Sequence, residues 1–330
     1  MDDPGIHIFA GFRGTGLEQE LKHILQEFRP AGIVLFKRNI EGADQLKDLV
    51  TEAQARARER LGRPLLWAID QEGGTVQRLA PHFTHLPAAK TIAADVGDVC
   101  DWAFKAATDL REIGIQINFA PVLDIVSEKT GHFMESRSLG SDPKKVAALG
   151  KAWITALQDS GISATAKHFP GLGRAELDPH HFSPLIKNDD IESFRKDLVP
   201  FKAAIEAGVH CVMTSHAIYP AIDSQHPATL SYEINHRYLR EQLGFTGTLF
   251  SDDLDMAAIS DNYSPESISE RGLACGTDFF LLCQKIENIE YFYSSIAHLI
   301  DREPLIRARH TESLARIEKL MRFHFPSSPR

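Results

Sequence analysis

Eight short apolar runs, each of strand length and each followed by a longer charged segment, constrain this chain more than any other feature. The runs are IHIFA from Ile6, GIVLF from Gly32, LLWAI from Leu65, IQINFA from Ile115, ISATAK from Ile162, HCVMTS from His210, GTLFS from Gly247 and DFFLLC from Asp278. A strand that is apolar on successive residues has no solvent face, so it belongs in a parallel sheet covered on both sides. The intervening segments, such as DQLKDLVTEAQARARERL from Asp44 and DPKKVAALGKAWITALQDSG from Asp142, read as amphipathic helices. The second closes on Gly161, a residue suited to a helix C-cap. Eight strand–helix units predict a closed (β/α)8 TIM barrel of the α/β class rather than an open sheet. No linker, repeat or low-complexity tract divides the 330 residues. Residues 1–330 are therefore expected to form one barrel domain, with a short C-terminal tail from about residue 324.

Several of these runs end in polar or ionisable residues: Lys37-Arg38-Asn39, Asp70, Asp124, Lys167-His168, His216 and Asp252. In an eight-stranded α/β barrel the C-terminal strand ends share one face, and active sites are built there. Charges placed only for solubility would be scattered over the helices as well.

Composition narrows the partners. The chain is 43% hydrophobic and 25% charged, enough for a large core, and its net charge of −9 disfavours a nucleic-acid backbone as partner. The amino terminus, MDDPGIHIFAG, is acidic where a signal peptide would be basic, and no apolar stretch approaches the length of a membrane span. Cys100, Cys211, Cys275 and Cys283 form no C-x-x-C pair, which fits reduced thiols and a cytoplasmic protein. No cofactor, metal, nucleic acid or membrane partner is expected.

Four segments carry the chemistry. TAKHFPGLGRAELDPHH from Thr165 runs a strand into Lys167-His168, turns at two glycines, and continues to Asp178 and His180. A carboxylate two residues from an imidazole can orient it and raise its basicity, and such a histidine gives and takes protons near neutrality. GTLFSDDLDM from Gly247 delivers Asp252 and Asp253 to a strand end. One carboxylate there can attack an anomeric carbon, while the other is expected to cap the following helix; Asp252 is the better nucleophile and Asp253 the better cap. WAIDQEGGTVQRL from Trp67 offers Asp70 as an acceptor for sugar hydroxyls and Arg78 as a donor. NFAPVLDI from Asn118 and ESRSLG from Glu135 add Asp124 and Arg137.

Taken together with LFKRN from Leu35 and VMTSHAIYP from Val212, these motifs resemble the family 3 glycoside hydrolases, specifically the single-domain bacterial β-N-acetylhexosaminidases of cell-wall recycling. The resemblance covers nearly the whole chain and implies a peptidoglycan-recycling hydrolase. By it, Asp252 matches the catalytic nucleophile, His180 the acid/base and Asp178 its dyad partner. Asp70, Arg78, Arg137, Lys167 and His168 match residues that hold the terminal sugar, and Met256 lines the same subsite. The two-domain β-glucosidases of the family take their acid from a second domain; here the Asp178–His180 loop supplies one. Thr75 stands where many members have Arg, Leu172 where His is frequent, Pro179 where Ser or Thr is usual, and Glu135-Ser136 replaces a frequent Gly-Asp. None of these changes removes a catalytic group, and Pro179 should stiffen the dyad loop.

The implied activity is retaining exo-hydrolysis of terminal N-acetylglucosamine from muropeptides or related glycosides, by a monomer. Phosphorolysis of the same substrates is the alternative, since a histidine acid tolerates an incoming phosphate better than a carboxylate does. Two other classes, a metal-dependent barrel hydrolase and a non-catalytic sugar-binding barrel, compete less well. The first strand offers only His7, without an H-x-H pair, and the Asp252 and Asp178–His180 set is retained. His23, His298 and His310 fall on helix-like segments and read as surface or packing residues.

Overall fold

The computed structural model describes residues 3–127, 131–175, 184–186 and 190–326. All eight apolar runs become strands of one closed barrel: β1 (Ile8–Ala10), β2 (Gly32–Leu35), β3 (Leu66–Ile69), β4 (Ile117–Asn118), β5 (Ser163–Phe169), β6 (Cys211–Thr214), β7 (Thr248–Asp253) and β8 (Phe279–Leu282). Each pairs in parallel with its sequence neighbours, and β8 closes on β1 through Phe9–Leu281 and flanking pairs. The first run starts later than its sequence suggests, because Pro4–His7 wind as a 3-10 turn capped by Asp3.

Helices cover the outside: α1 (Gln19–His23), α2 (Ala43–Leu61), α3 (Val96–Ile113), α4 (Pro143–Asp159), α5 (Ile191–Glu206), α6 (Glu233–Gln242, wound as a π-helix), α7 (Pro265–Ala274) and α8 (Ile286–Arg302). Their starts are written in the sequence. Asp142 accepts from the Lys144 and Lys145 N–H groups at 2.7 and 2.9 Å with Pro143 at the first helical position, and Asp190 caps α5 through the Ser193 N–H. Strand residues alternate between two cores. Ile33, Trp67, Ala164, Val212 and Phe280 pack outward with the helices, whereas Phe9, Leu66, Phe119, Phe250 and Phe279 fill the barrel. Phe9, Phe250 and Phe279 contact one another with ring centroids 4.7–5.0 Å apart, and Phe119 adds an edge contact to Phe250.

A further helix, α9 (Pro304–His324), carries the chain through residue 324, where the tail was expected to begin, and closes the N-terminal end of the barrel. Its Ile317 and Leu320 join the interior cluster, and Arg316 and Ser313 bind the buried Asp278. His310 is buried, as one of its two readings required. Its Nδ1 lies 2.8 Å from His7 Nε2, and His7 Nδ1 donates to the Asp278 carbonyl oxygen, so His310 is the donor within the pair. Cys211, Cys275 and Cys283 are buried thiols. Among the described residues no helix is long and apolar enough to cross a membrane.

Candidate active site

A cavity of about 410 Å³ opens at the C-terminal end of the barrel. Its floor is apolar, from Val34, Phe119, Met213 and Leu281, and its wall is ionic. Asp70, Arg78, Arg137, Lys167, His168, Asp252 and Met256 all line it, so seven of the nine residues singled out in the sequence converge here. Asp178 and His180 lie outside the described residues.

The chain reaches this arrangement by breaking strand alternation in two places. Between the pairs Ala166–Val212 and Phe169–Thr214, β5 holds one residue more than β6; between Phe250–Phe279 and Asp253–Leu281, β7 holds one more than β8. Such bulges redirect side chains that regular pleating would send to opposite faces. Lys167 with His168, and Asp252 with Asp253, therefore line the same cavity as neighbours in sequence. Arg78 returns to the site on a tight hairpin, Gln71–Gly73 against Val76–Gln77, whose Gly73 and Gly74 take φ of 104° and 57°.

An ion network ties these wall residues together through Glu72 behind them. Lys167 Nζ sits 2.8 Å from Asp70 Oδ1 and 2.6 Å from Glu72 Oε1. Arg78 reaches the other oxygen of Asp70 at 3.0 Å, and Arg137 grips Glu72 with two parallel bonds of 2.8 Å. The ammonium spends two of its three donors on these carboxylates. Burial works against ionising Asp70 and Glu72, but the adjacent cations outweigh it. Lys167 and Arg78 hold Asp70 well below the usual carboxylate range, and Lys167 and Arg137 bring Glu72 down to about 2. Burial opposes the charge on Lys167 as well, and Asp70 and Glu72 reverse that, raising its pKa.

A pH dependence follows. A group whose folded pKa is depressed stabilises the fold above its unfolded pKa and loses that contribution as pH falls through the folded value. For Glu72 the window runs from about 4.5 down to about 2. Denaturant midpoints measured across that range should fall with acid, and the slope should shrink in Glu72→Gln.

His168 is set by Asp124, whose Oδ2 lies 2.7 Å from its Nδ1 and whose Oδ1 accepts the Leu172 N–H at 2.7 Å. An ionised carboxylate only accepts, so Nδ1 carries the proton. Asp252 accepts from the Asp253 N–H at 2.8 Å. Burial opposes its ionisation; His168, His216, that N–H and Lys167 together outweigh burial and hold it below its ordinary range. Asp252 is thus kept as an anion facing the cavity.

Two site residues escaped the sequence reading. Glu72 lay unremarked inside IDQEGG, and nothing in the local pattern distinguishes it from a surface glutamate next to the Gly73-Gly74 turn. Asp253 was expected to cap the helix after β7, and this is corrected. The N-cap of that short helix, Ala257–Ser260, is Met256, and Asp253 instead ends the strand, with its Oδ1 accepting the Asp255 N–H at 3.1 Å.

Comparison with known proteins agrees with this geometry. A family model described as the glycosyl hydrolase family 3 N-terminal domain matches residues 11–320. A β-hexosaminidase of Pseudomonas aeruginosa (strain LESB58) is 36% identical over 87% of this chain and 85% of its own length. One from Haemophilus influenzae is 34% identical over 96% and 88%. Among solved structures, a family 3 β-N-acetylglucosaminidase from Paenibacillus superposes with a TM-score of 0.93 at 32% identity; it covers all of this chain, which spans 64% of that longer protein. A β-N-acetylhexosaminidase from Beutenbergia cavernae superposes with a TM-score of 0.90 at 29% identity, over 97% of both chains.

Proposed function

The chain belongs to glycosyl hydrolase family 3 and is a glycoside hydrolase of the β-N-acetylhexosaminidase type, and from that premise we propose that it removes terminal non-reducing N-acetylglucosamine by a retaining, two-step displacement on Asp252. The observation that carries this reading is the placement of Asp252, held as an anion in a cavity that Asp70, Lys167 and Arg137 also line, with Glu72 behind them joining Lys167 to Arg137. In the first step Asp252 Oδ attacks the anomeric carbon and the glycosidic C–O bond breaks. His180, oriented by Asp178, gives its proton to the departing oxygen. In the second step His180 takes a proton from water, the water oxygen bonds to the anomeric carbon, and the Asp252 ester is released. Asp70, Arg78, Lys167, His168 and Arg137 hold the sugar's hydroxyl and acetamido groups, a pre-ordering that lowers the barrier, and Met256 packs on its apolar edge. The substrate is taken to be an N-acetylglucosamine-containing muropeptide fragment, handled by one barrel domain acting as a cytoplasmic monomer.

A 2-fluoro glycosyl fluoride tests the core of this proposal. The protein should gain the mass of one fluorosugar, and peptide mapping should place it on Asp252; a label elsewhere removes the assignment. His180→Ala should suffer far less on an aryl glycoside with a good phenolate leaving group than on a disaccharide, because only the poor leaving group needs the proton. Equal losses on both substrates would sink the acid/base role.

A further inference from the structure

Among the described residues that line the cavity, Asp253 is the carboxyl that the mechanism above leaves unused. The β7 bulge turns it toward the same cavity as Asp252. Its backbone is occupied: the N–H donates to Asp252 Oδ1 at 2.8 Å, and the carbonyl accepts from His216 Nε2 at 3.0 Å and from the Met256 N–H at 3.1 Å. Its carboxyl has different company. Oδ1 accepts the Asp255 N–H at 3.1 Å, and among the described residues no Lys, Arg or His lies within ion-pair distance of it.

The charged and titratable groups around it are accounted for. On its own strand it faces Asp252, in the following turn Asp255, and on the β8 side Cys283, whose backbone N–H donates to the carboxyl and whose thiol lies nearby. His216, after β6, meets its carbonyl oxygen and not its carboxyl. Across the cavity Lys167, Arg78 and Arg137 are bound to Asp70 or Glu72, and His168 is bound to Asp124. Burial, with Asp255 and Asp252 adding negative charge, outweighs the Asp255 and Cys283 N–H donors and pushes the Asp253 carboxyl up to about 7. A partly enclosed acid with anionic neighbours and no cation at hand keeps its proton to a higher pH than a free carboxyl does.

We propose that Asp253 acts as an uncharged carboxylic acid whose O–H donates a hydrogen bond to a hydroxyl or carbonyl oxygen of the bound glycoside, leaving Asp252 the only anion that β7 presents to the sugar. The proposal rests on the reading of Asp252 as nucleophile. It makes Asp253 a substrate-contacting residue, with affinity that depends on its proton. As pH rises through about 7 the donor is lost and a second negative charge appears beside Asp252, so a neutral sugar binds less well.

The test is calorimetric binding of N-acetylglucosamine, an uncharged ligand that needs no general acid, from about pH 5.5 to about pH 8.5. Wild-type affinity should fall about tenfold across neutrality, the size of one lost hydrogen bond. Asp253→Asn keeps the shape and a donor without the charge. It should bind within about threefold of the low-pH wild type at every pH, whereas Asp253→Ala should bind weakly throughout. The proposal is overturned if Asp253→Asn keeps the wild-type pH dependence, or binds as weakly as Asp253→Ala at low pH. Should Asp253→Asn not fold, carbon NMR of wild-type enzyme labelled at aspartate carboxyls decides. One carboxyl should titrate near neutrality with a midpoint that rises when the sugar binds, and no such carboxyl overturns the proposal. The fluorosugar label separates the two readings: its absence from Asp252 refutes the nucleophile, whereas the pH behaviour refutes only the role of Asp253.

Discussion

Replacing Asp252 with alanine is expected to lower kcat for an aryl β-N-acetylglucosaminide by on the order of 10⁴- to 10⁶-fold, the scale on which an enzyme suffers when a nucleophile working with an acid/base partner is removed. The fold should survive the change. Asp252 sits at the end of β7, beyond the phenylalanines that fill the barrel, and its hydrogen bond is to the N–H of the next residue. Circular dichroism and the denaturation midpoint should therefore match the parent protein while turnover collapses. Turnover near the parent rate would end the assignment of Asp252 as nucleophile.

The second large effect is expected from Lys167→Met, and it should appear in stability as well as activity. Lys167 is buried, and its ammonium is shared between Asp70 and Glu72 at 2.8 and 2.6 Å. Methionine keeps much of the volume but leaves two buried carboxylates facing each other with their common cation gone. Breaking such a pair costs about 3–5 kcal/mol, more than the intact pair contributes relative to an apolar replacement. Urea unfolding should show a loss of that size. The double variant Lys167→Met/Glu72→Gln should recover part of it, because the repulsion between Glu72 and Asp70 is then absent; a strictly additive double variant would contradict the network. Sugar affinity should fall in both variants, since the third ammonium donor is lost.

How far the sequence speaks for this structure differs from element to element. The eight strands were legible because each is apolar on both faces, and helices α2 and α4 because their apolar residues recur at helical spacing and Gly161 stands where the second must stop. Six residues that hold or surround the sugar site could be read for the same reason that they could be misread: they end strands, and the barrel gathers strand ends. The pairings were not legible. Nothing in the local pattern around Asp124 says that it will meet His168, or that Glu72 will bind Arg137, because those contacts join residues 44 and 65 positions apart. Asp253 was misread for a different cause. Period-two alternation sends it away from Asp252, and only a ladder with one extra residue brings it back. The π-winding of α6 and the closing role of α9 likewise depend on packing that no short window contains.

The closed lower end of the barrel has a kinetic consequence. With the phenylalanines stacked below the cavity and α9 set across the opposite opening, the cavity among the described residues is a well that opens toward the C-terminal face. On the proposed reading, whatever enters last must leave first. The aglycone, lying toward the mouth, departs before water can reach the ester beneath it, and the freed sugar leaves by the route the next substrate must use. Departure is thereby ordered by architecture alone, and accumulated sugar competes with incoming substrate at the same opening.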